Sequence, residues 1–161
     1  MKLAALVTFL GDIHGAGLQT MQGLLFTNSF YWDLNDRTRG FTRRVLPRMG
    51  GTYPGMTHAG CYGITMHYVR AVAAMGAPAA RRSGAATVAQ MKAMPTDDDA
   101  FGHGFIRADG RAVLPACLLQ VKAPAQSTKP WDYCNVVSTM APAETVRPLE
   151  QVGCTFVAAV R

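Results

Sequence analysis

Between the loop signals YPG and GAP the chain runs MTHAGCYGITMHYVRAVAAM, residues 56–75, with Arg70 as its only Lys, Arg, Asp or Glu. Tyr62, Met66, Val69 and Ala73 recur at spacings of four, three and four, and Cys61, Tyr68 and Val72 add a neighbouring stripe. The spacing predicts a helix, capped at Thr57 and ended by Gly76 and Pro78. So few charges predict burial on most sides, which requires the rest of the chain to surround it.

The neighbouring segments read as both strands and helices. GLLFTNSF, from Gly23, is bulky and apolar and predicts a buried strand. Asp33 or Asn35 caps a following helix that carries Phe41, Val45 and Leu46 on one side and arginines on the other. Pro47 ends or bends that helix near residues 43–46. GAATVAQMKAM, residues 84–94, predicts a shorter helix stopped by Pro95, and TDDDAFGHG a polar turn. Asp-Gly in ADGR marks a hairpin, and Pro115 keeps the start of the next run from pairing, so that its body is 116–121. WDYCNVVSTM is a further strand, and residues 141–153 are irregular. The order strand, three helices, three strands gives an α/β class with an incomplete sheet.

Among 161 residues, 49% are apolar and 16% charged, as expected of one folded domain. The net charge of +6 is diffuse. Arg37, Arg39, Arg43, Arg44 and Arg48 form the one dense basic run, which reads as a solvated helix face. The four cysteines are widely spaced, which disfavours a structural zinc site and leaves both two disulfides and four buried thiols open. LAALVTFL near the start imitates a secretory leader, but Asp12 follows at once and no small-x-small cleavage site comes after it. No stretch approaches the roughly 20 apolar residues of a membrane span.

Chemistry-bearing motifs are sparse. His58 and Cys61 are three apart on one helix, but a nucleophile pair there has no oxyanion donors beside it. Asp97–Asp99 reads as a solvated turn rather than a cation site, and Asp12 with His14 lacks a third group. Neither a catalytic nor a metal residue is assigned. Large rings are more informative: Phe30, Tyr31, Trp32 and Tyr62 can line a pocket for a small organic ligand. Consecutive side chains of an extended segment alternate, so at least one of Phe30, Tyr31 and Trp32 is expected at an interface, in a cleft or in water. Tyr62 can also be a core tyrosine with its hydroxyl satisfied.

GLLFTNSFYWDLNDRTRGFTRRV, YPGMTHAGCYGITMHYVRAV, GFIRADGRAV…LLQVKAPAQSTKPWDYCNVV and RPLEQVGCTFV resemble, in order and spacing, the C-terminal part of leucine-binding-protein-like solute-binding proteins. These are the type I periplasmic binding proteins of branched-chain-amino-acid-type ABC transporters. The resemblance runs from about Lys2 to Val157 and implies a partial type I fold, pieces of two Rossmann-like lobes joined at crossover strands. By it, residues 1–28 belong to the second lobe, 29–33 cross the hinge, 34–122 complete the first lobe and 123–161 return toward the second. Tyr62 then matches a ligand-facing tyrosine, and Phe30 to Trp32 match cleft-edge positions.

The implied role is capture of an amino acid or a related, aromatic or other, organic acid by lobe closure. The partners are that ligand and a membrane permease, without nucleic acid and without a cofactor, and full-length members are periplasmic. A chain of less than half the family length is expected to be an incomplete fragment, with the apolar start as an internal helix and self-association through uncovered faces. Two other readings are an enzyme using Cys61 and His58, and a basic nucleic-acid-binding module using the arginines of 37–48.

Overall fold

The computed structural model describes residues 3–154 and Val157. The outermost residues of segments 1–28 and 123–161, and part of the CTFV end of the matching stretch, lie outside the described residues. The chain opens extended, with Ala4 bridged in parallel to Leu25, and not as the internal helix expected from its apolar start. Leu3, Leu6 and Val7 stand largely in solvent. Helices α1 (Leu10–Ala16) and α2 (Leu18–Met21) follow, separated at Gly17, whose φ of 82° favours glycine. The Asp12 carboxylate accepts from the Phe9 N–H (2.8 Å) at the start of α1, and Ile13 buries.

Strand β1 (Leu25–Asn28) leads through the aromatic triplet into α3 (Asp36–Val45). Asn35 caps α3: its side chain accepts from the Thr38 N–H (3.0 Å), and the Thr38 hydroxyl oxygen accepts from the Asn35 N–H (3.1 Å). A 3₁₀ turn at Leu46–Arg48, holding Pro47, closes the helix where the proline predicts. Next come α4 (Met56–Met75), α5 (Ala77–Arg82) and α6 (Gly84–Ala93). Gly76 breaks α4 as expected, but Pro78 then sits in the first turn of α5, where its missing N–H costs nothing.

The segment expected to be a polar turn is a hairpin, β2 (Thr96–Asp98) with β3 (Gly102–Ile106). Its turn is held by Asp98, whose Oδ1 accepts from the N–H groups of Ala100 (2.8 Å) and Phe101 (2.7 Å). β3 also pairs with β4 (Ala112–Val113) across the ADGR turn. Pro115 separates β4 from β5 (Ala116–Val121), the middle strand of a second antiparallel sheet, β1–β5–β6, with β6 at Cys134–Met140. Along β5, Cys117, Leu119 and Val121 bury on one face, the period of two expected of a strand.

Two readings of the sequence need correcting. First, α4 does not bury the stripe of Tyr62, Met66, Val69 and Ala73. It buries Ala59, Gly63, His67 and Ala71, a strict i, i+4 row, and it starts at Met56 after Gly55 instead of at a Thr57 cap. Small side chains on this row let α4 approach the β2–β3 hairpin and α6 closely, whereas Ile64, Tyr68 and Val69 are about half exposed. The bulky face of the helix is left without cover among the described residues.

Second, all three rings of the triplet are buried: Phe30 is 1% exposed, Tyr31 4% and Trp32 7%. None stands in a cleft or in water. The alternation argument fails because the strand ends at Asn28 and the backbone turns, the Leu34 N–H donating to the Tyr31 carbonyl (3.1 Å). Each ring then points to a different wall of one core. Phe30 packs edge-on to Phe41 and Phe101, with centroids 5.5 and 6.1 Å away. The Tyr31 hydroxyl oxygen accepts from the Cys134 N–H (3.3 Å), and the Trp32 indole donates to the Trp131 carbonyl (2.8 Å).

Candidate functional site

Where β1 ends, β5 begins and α4 starts, the chain leaves an open cleft of about 300 Å³. Thr27, Asn28 and Ser29 form one side, Ala112, Leu114 and Pro115 another, and Met56, Arg111 and Thr145 border it. Three features make it chemically distinctive. Met56 is the first residue of a 20-residue helix, so the positive end of α4 borders the cleft. The guanidinium of Arg111, an exposed residue, has no ion-pair partner among the described residues. Asn28 is 6% exposed, and its Oδ1 has no hydrogen-bond partner among the described residues, while its Nδ2 donates to the Thr8 carbonyl (3.4 Å). Thr145 is pinned at the rim by donation to the Leu114 and Pro142 carbonyls. The arrangement complements a carboxylate at the Arg111 and α4 end.

Sequence reading missed Asn28, Arg111 and Thr145. Asn28 showed only as the polar end of an apolar strand and Arg111 only as a turn residue. Their convergence depends on pairing β1 with β5, from Leu25 opposite Gln120 to Asn28 opposite Cys117, across some ninety residues.

Tyr62, expected to face ligand, is half-buried and locked. Its hydroxyl donates to Asp99 Oδ1 (2.7 Å) and accepts from Arg44 (3.3 Å), and Arg44 also pairs with Asp99. Its ring packs on Phe41, with the Arg44 guanidinium 5.3 Å from the ring centre. Burial and the neighbouring Asp99 push the Tyr62 phenol up. Burial also works against the Asp99 charge, but the Tyr62 hydroxyl and Arg44 outweigh it and hold that carboxyl low. Phe30, Tyr31 and Trp32, expected with Tyr62 as ligand-binding rings at a cleft edge, are instead buried in the core.

A second aromatic group adjoins Trp32. Trp131 stacks on His14 (centroids 4.2 Å apart, planes 9° apart) and lies 6.0 Å from Tyr53, itself edge-on to Trp32. His14 Nδ1 is 2.7 Å from the Tyr133 hydroxyl. Trp131 has φ 60°, a left-handed conformation that costs a bulky residue about 1–3 kcal/mol and that packing must impose.

The nucleophile pair does not form. His58 Nδ1 accepts from the Gly55 N–H (3.2 Å) at the start of α4, and among the described residues no hydrogen bond links it to Cys61. The four cysteines are free thiols, so the two-disulfide reading falls. Burial pushes Cys117 up to about 11 and Cys134 to about 12, which makes both poor nucleophiles at neutral pH. No group of three or more His, Cys, Asp or Glu suited to a metal occurs among the described residues. Arg37, Arg39 and Arg44 pair with Asp97, with Asp33 and Asp36, and with Asp99 respectively. The basic run is therefore largely neutralised as a phosphate-binding strip. No helix among the described residues is long and apolar enough to cross a membrane.

A family model described as "Periplasmic binding protein" matches residues 1–128. A periplasmic binding protein from Burkholderia mallei is 35% identical, with a TM-score of 0.86 over 97% of this chain and 40% of its own. A branched-chain amino acid ABC transporter periplasmic ligand-binding protein from Burkholderia xenovorans is 34% identical, with the same TM-score and coverage. A leucine-, isoleucine-, valine-, threonine- and alanine-binding protein from Brucella ovis shares the fold at 18% identity and a TM-score of 0.69, over 91% of this chain and 38% of its own. No curated protein matches. The chain thus spans about 40% of the length of the solved proteins it matches. With a family model over most of its length and one third of its residues identical to solved members, the chain belongs to the type I periplasmic binding protein family.

Proposed function

We propose that this chain supplies one wall of the ligand cleft of a substrate-binding protein serving an ABC importer in the periplasm, and that its ligand is a small amino acid or related organic acid. The observation that carries the reading is the open cleft at the ends of β1 and β5, with Arg111 and the start of α4 on one side and Thr27, Asn28 and Ser29 on another. Such a protein acts by binding: a ligand that touches both lobes favours the closed form over the open one. In this reading residues 1–28 and 123–161 are second-lobe pieces, 29–33 the hinge and 34–122 the first-lobe piece. The stack of Tyr53, Trp131 and His14 then bridges the pieces, and the buried triplet is the hinge's packing core. Tyr62, braced by Arg44 and Asp99, is the one ring of the expected four that is only partly buried. Partners are the ligand and a membrane permease. The uncovered Ile64, Tyr68 and Val69 face of α4 belongs against another part of the full fold and promotes self-association of the isolated chain.

With one wall only, the chain binds weakly. Titration with L-leucine and with benzoate, followed by backbone amide shifts, is expected to move Asn28, Ser29, Met56 and Arg111 with a Kd of about 1 mM, some −4 kcal/mol. Arg111→Ala is expected to remove the response to both acids. Shifts confined to other surfaces would contradict this placement of the ligand.

A further inference from the structure

The loop between β5 and β6, residues 122–133, touches both α1 and the segment that leads into α4. Its base is fastened to the sheet. Asp132 accepts from Lys122 (2.5 Å) just past the end of β5, and β5 is paired on both sides, with β1 and with β6. Trp131 is in turn fixed to α1. Its ring lies face to face with His14, centroids 4.2 Å apart, and the Tyr133 hydroxyl reaches His14 Nδ1 at 2.7 Å. The Trp131 backbone, at φ 60°, holds a conformation that a bulky residue keeps only where packing imposes it. The loop therefore moves with α1 and the sheet.

On its other side the grip is looser. Tyr53 lies 6.0 Å from Trp131 with planes 17° apart, near the far end of the range for stacked rings. Of the contacts that Trp131 makes with His14 and Tyr53, this is the one that yields first. Among the described residues it is also the one aromatic pair that joins the α3–α6 part of the chain to α1 and the sheet without passing through residues 29–33. Trp32, in that connecting segment, touches both partners: it stands edge-on to Tyr53 (4.7 Å), and its indole donates to the Trp131 carbonyl (2.8 Å). Tyr53 precedes Met56 by three residues, and Met56 borders the ligand cleft. A shift of Tyr53 thus carries the start of α4 with it and alters the width of the cleft, although neither Tyr53 nor Trp131 lines it.

Resting on the two-lobe reading above, we propose that this loop is a latch on lobe movement. Trp131, carried by the second lobe, holds Tyr53 of the first and releases it when the lobes rotate about residues 29–33. The arrangement in which the two rings meet is favoured by their contact, and a change that weakens the contact moves the equilibrium between lobe positions.

Residual dipolar couplings of the backbone N–H groups of the full chain test this, fitted separately for α3, α4 and α6 and for α1 with β1, β5 and β6. One alignment tensor is expected to describe both groups in the wild type. Tyr53→Ala should free the groups from each other, so that the weaker tensor falls to about half of the stronger or less, since lobe rotation on the μs–ms scale averages its couplings. Tyr53→Phe keeps the ring and should behave as the wild type. Trp131→Gly should separate the tensors as well, and it decides should Tyr53→Ala fail to fold. Glycine accepts the positive φ without strain and keeps the carbonyl to which Trp32 donates. A single tensor in folded Tyr53→Ala or in Trp131→Gly, separate tensors already in the wild type, or a Tyr53→Phe chain that separates like Tyr53→Ala would overturn the latch. The two-lobe reading is decided separately in the same samples, by whether benzoate moves the Met56 and Arg111 amides.

Discussion

Replacing Phe30 by alanine is expected to destabilise the fold by about 3–5 kcal/mol, the range for truncating a fully enclosed phenylalanine. Phe30 is 1% exposed and lies where three packing groups meet. It stands edge-on to Phe41 of α3 and to Phe101 in the β2–β3 turn, and the strand it follows pairs with β5. Neither ring can follow the truncated side chain, because Phe41 is fixed on α3 under Tyr62 and Phe101 by its N–H bond to Asp98. The cavity therefore persists, and the loss includes contacts as well as transfer free energy. Since domains are stable by only about 5–15 kcal/mol, urea midpoints should fall sharply or the chain should not fold at all. A loss below about 1 kcal/mol would place Phe30 at a surface, where a ligand-lining ring belongs, and would contradict the packing described above.

The second large effect is at Asp132, in the loop between β5 and β6. Its carboxylate is buried, accepts from the Lys122 ammonium (2.5 Å), and accepts from the Thr128 N–H (3.1 Å) and hydroxyl (3.4 Å). Asp132→Ala leaves the Lys122 charge in a largely closed site without a partner, at a cost of about 3–5 kcal/mol. Replacing both residues by apolar ones of similar size, Lys122→Met with Asp132→Leu, should recover most of that loss, because the desolvation of two charges disappears with them. Burial works against the Asp132 charge, but Lys122 and Thr128 outweigh it and hold the carboxyl below its ordinary range. The same holds for Asp109, which Arg107 brings down to about 2. A carboxyl depressed in the folded state stabilises fully above its unfolded value near 4, and that stability is lost as pH falls through the folded value. Wild-type stability should therefore decline from about pH 4 toward pH 2. The Asp132→Ala chain should decline less, since one of the depressed carboxyls, which also include Asp99, is already gone. Equal slopes would show that Asp132 titrates alike in both states.

How much of this was legible in the sequence depended on how local the cause was. Asn35 as a cap, Pro47 as a helix end and Pro115 as the break before β5 act within a few residues, and each stands where the sequence places it. The length of α4 was legible, but not its buried face. Bulk suggested Tyr62, Met66 and Val69, whereas close approach to a hairpin selects the small row Ala59, Gly63, Ala71. The β2 strand was hidden because Thr-Asp-Asp is a poor strand sequence, and only the capping of its turn by Asp98 explains the pairing. The triplet misled for a geometric reason: alternation holds for extended chain, and the chain turns at Tyr31. For the site, the resemblance pointed to four rings, of which Phe30, Tyr31 and Trp32 are buried and Tyr62 half-buried, while Asn28 and Arg111, brought together only by long-range pairing, carried no local signal.

The central claim, that the cleft at Asn28, Met56 and Arg111 is one wall of a ligand site completed by the rest of the family fold, is tested most directly in a chimera. In it this chain replaces the matching 40% of the Burkholderia xenovorans protein. Calorimetric titration with a panel of amino acids and small aromatic acids should give one acid bound with a Kd of about 1 μM, near −8 kcal/mol, and Arg111→Ala should cost it at least tenfold. A cooperatively folded chimera that binds none of the acids, or binds one equally well with Arg111→Ala, would contradict it.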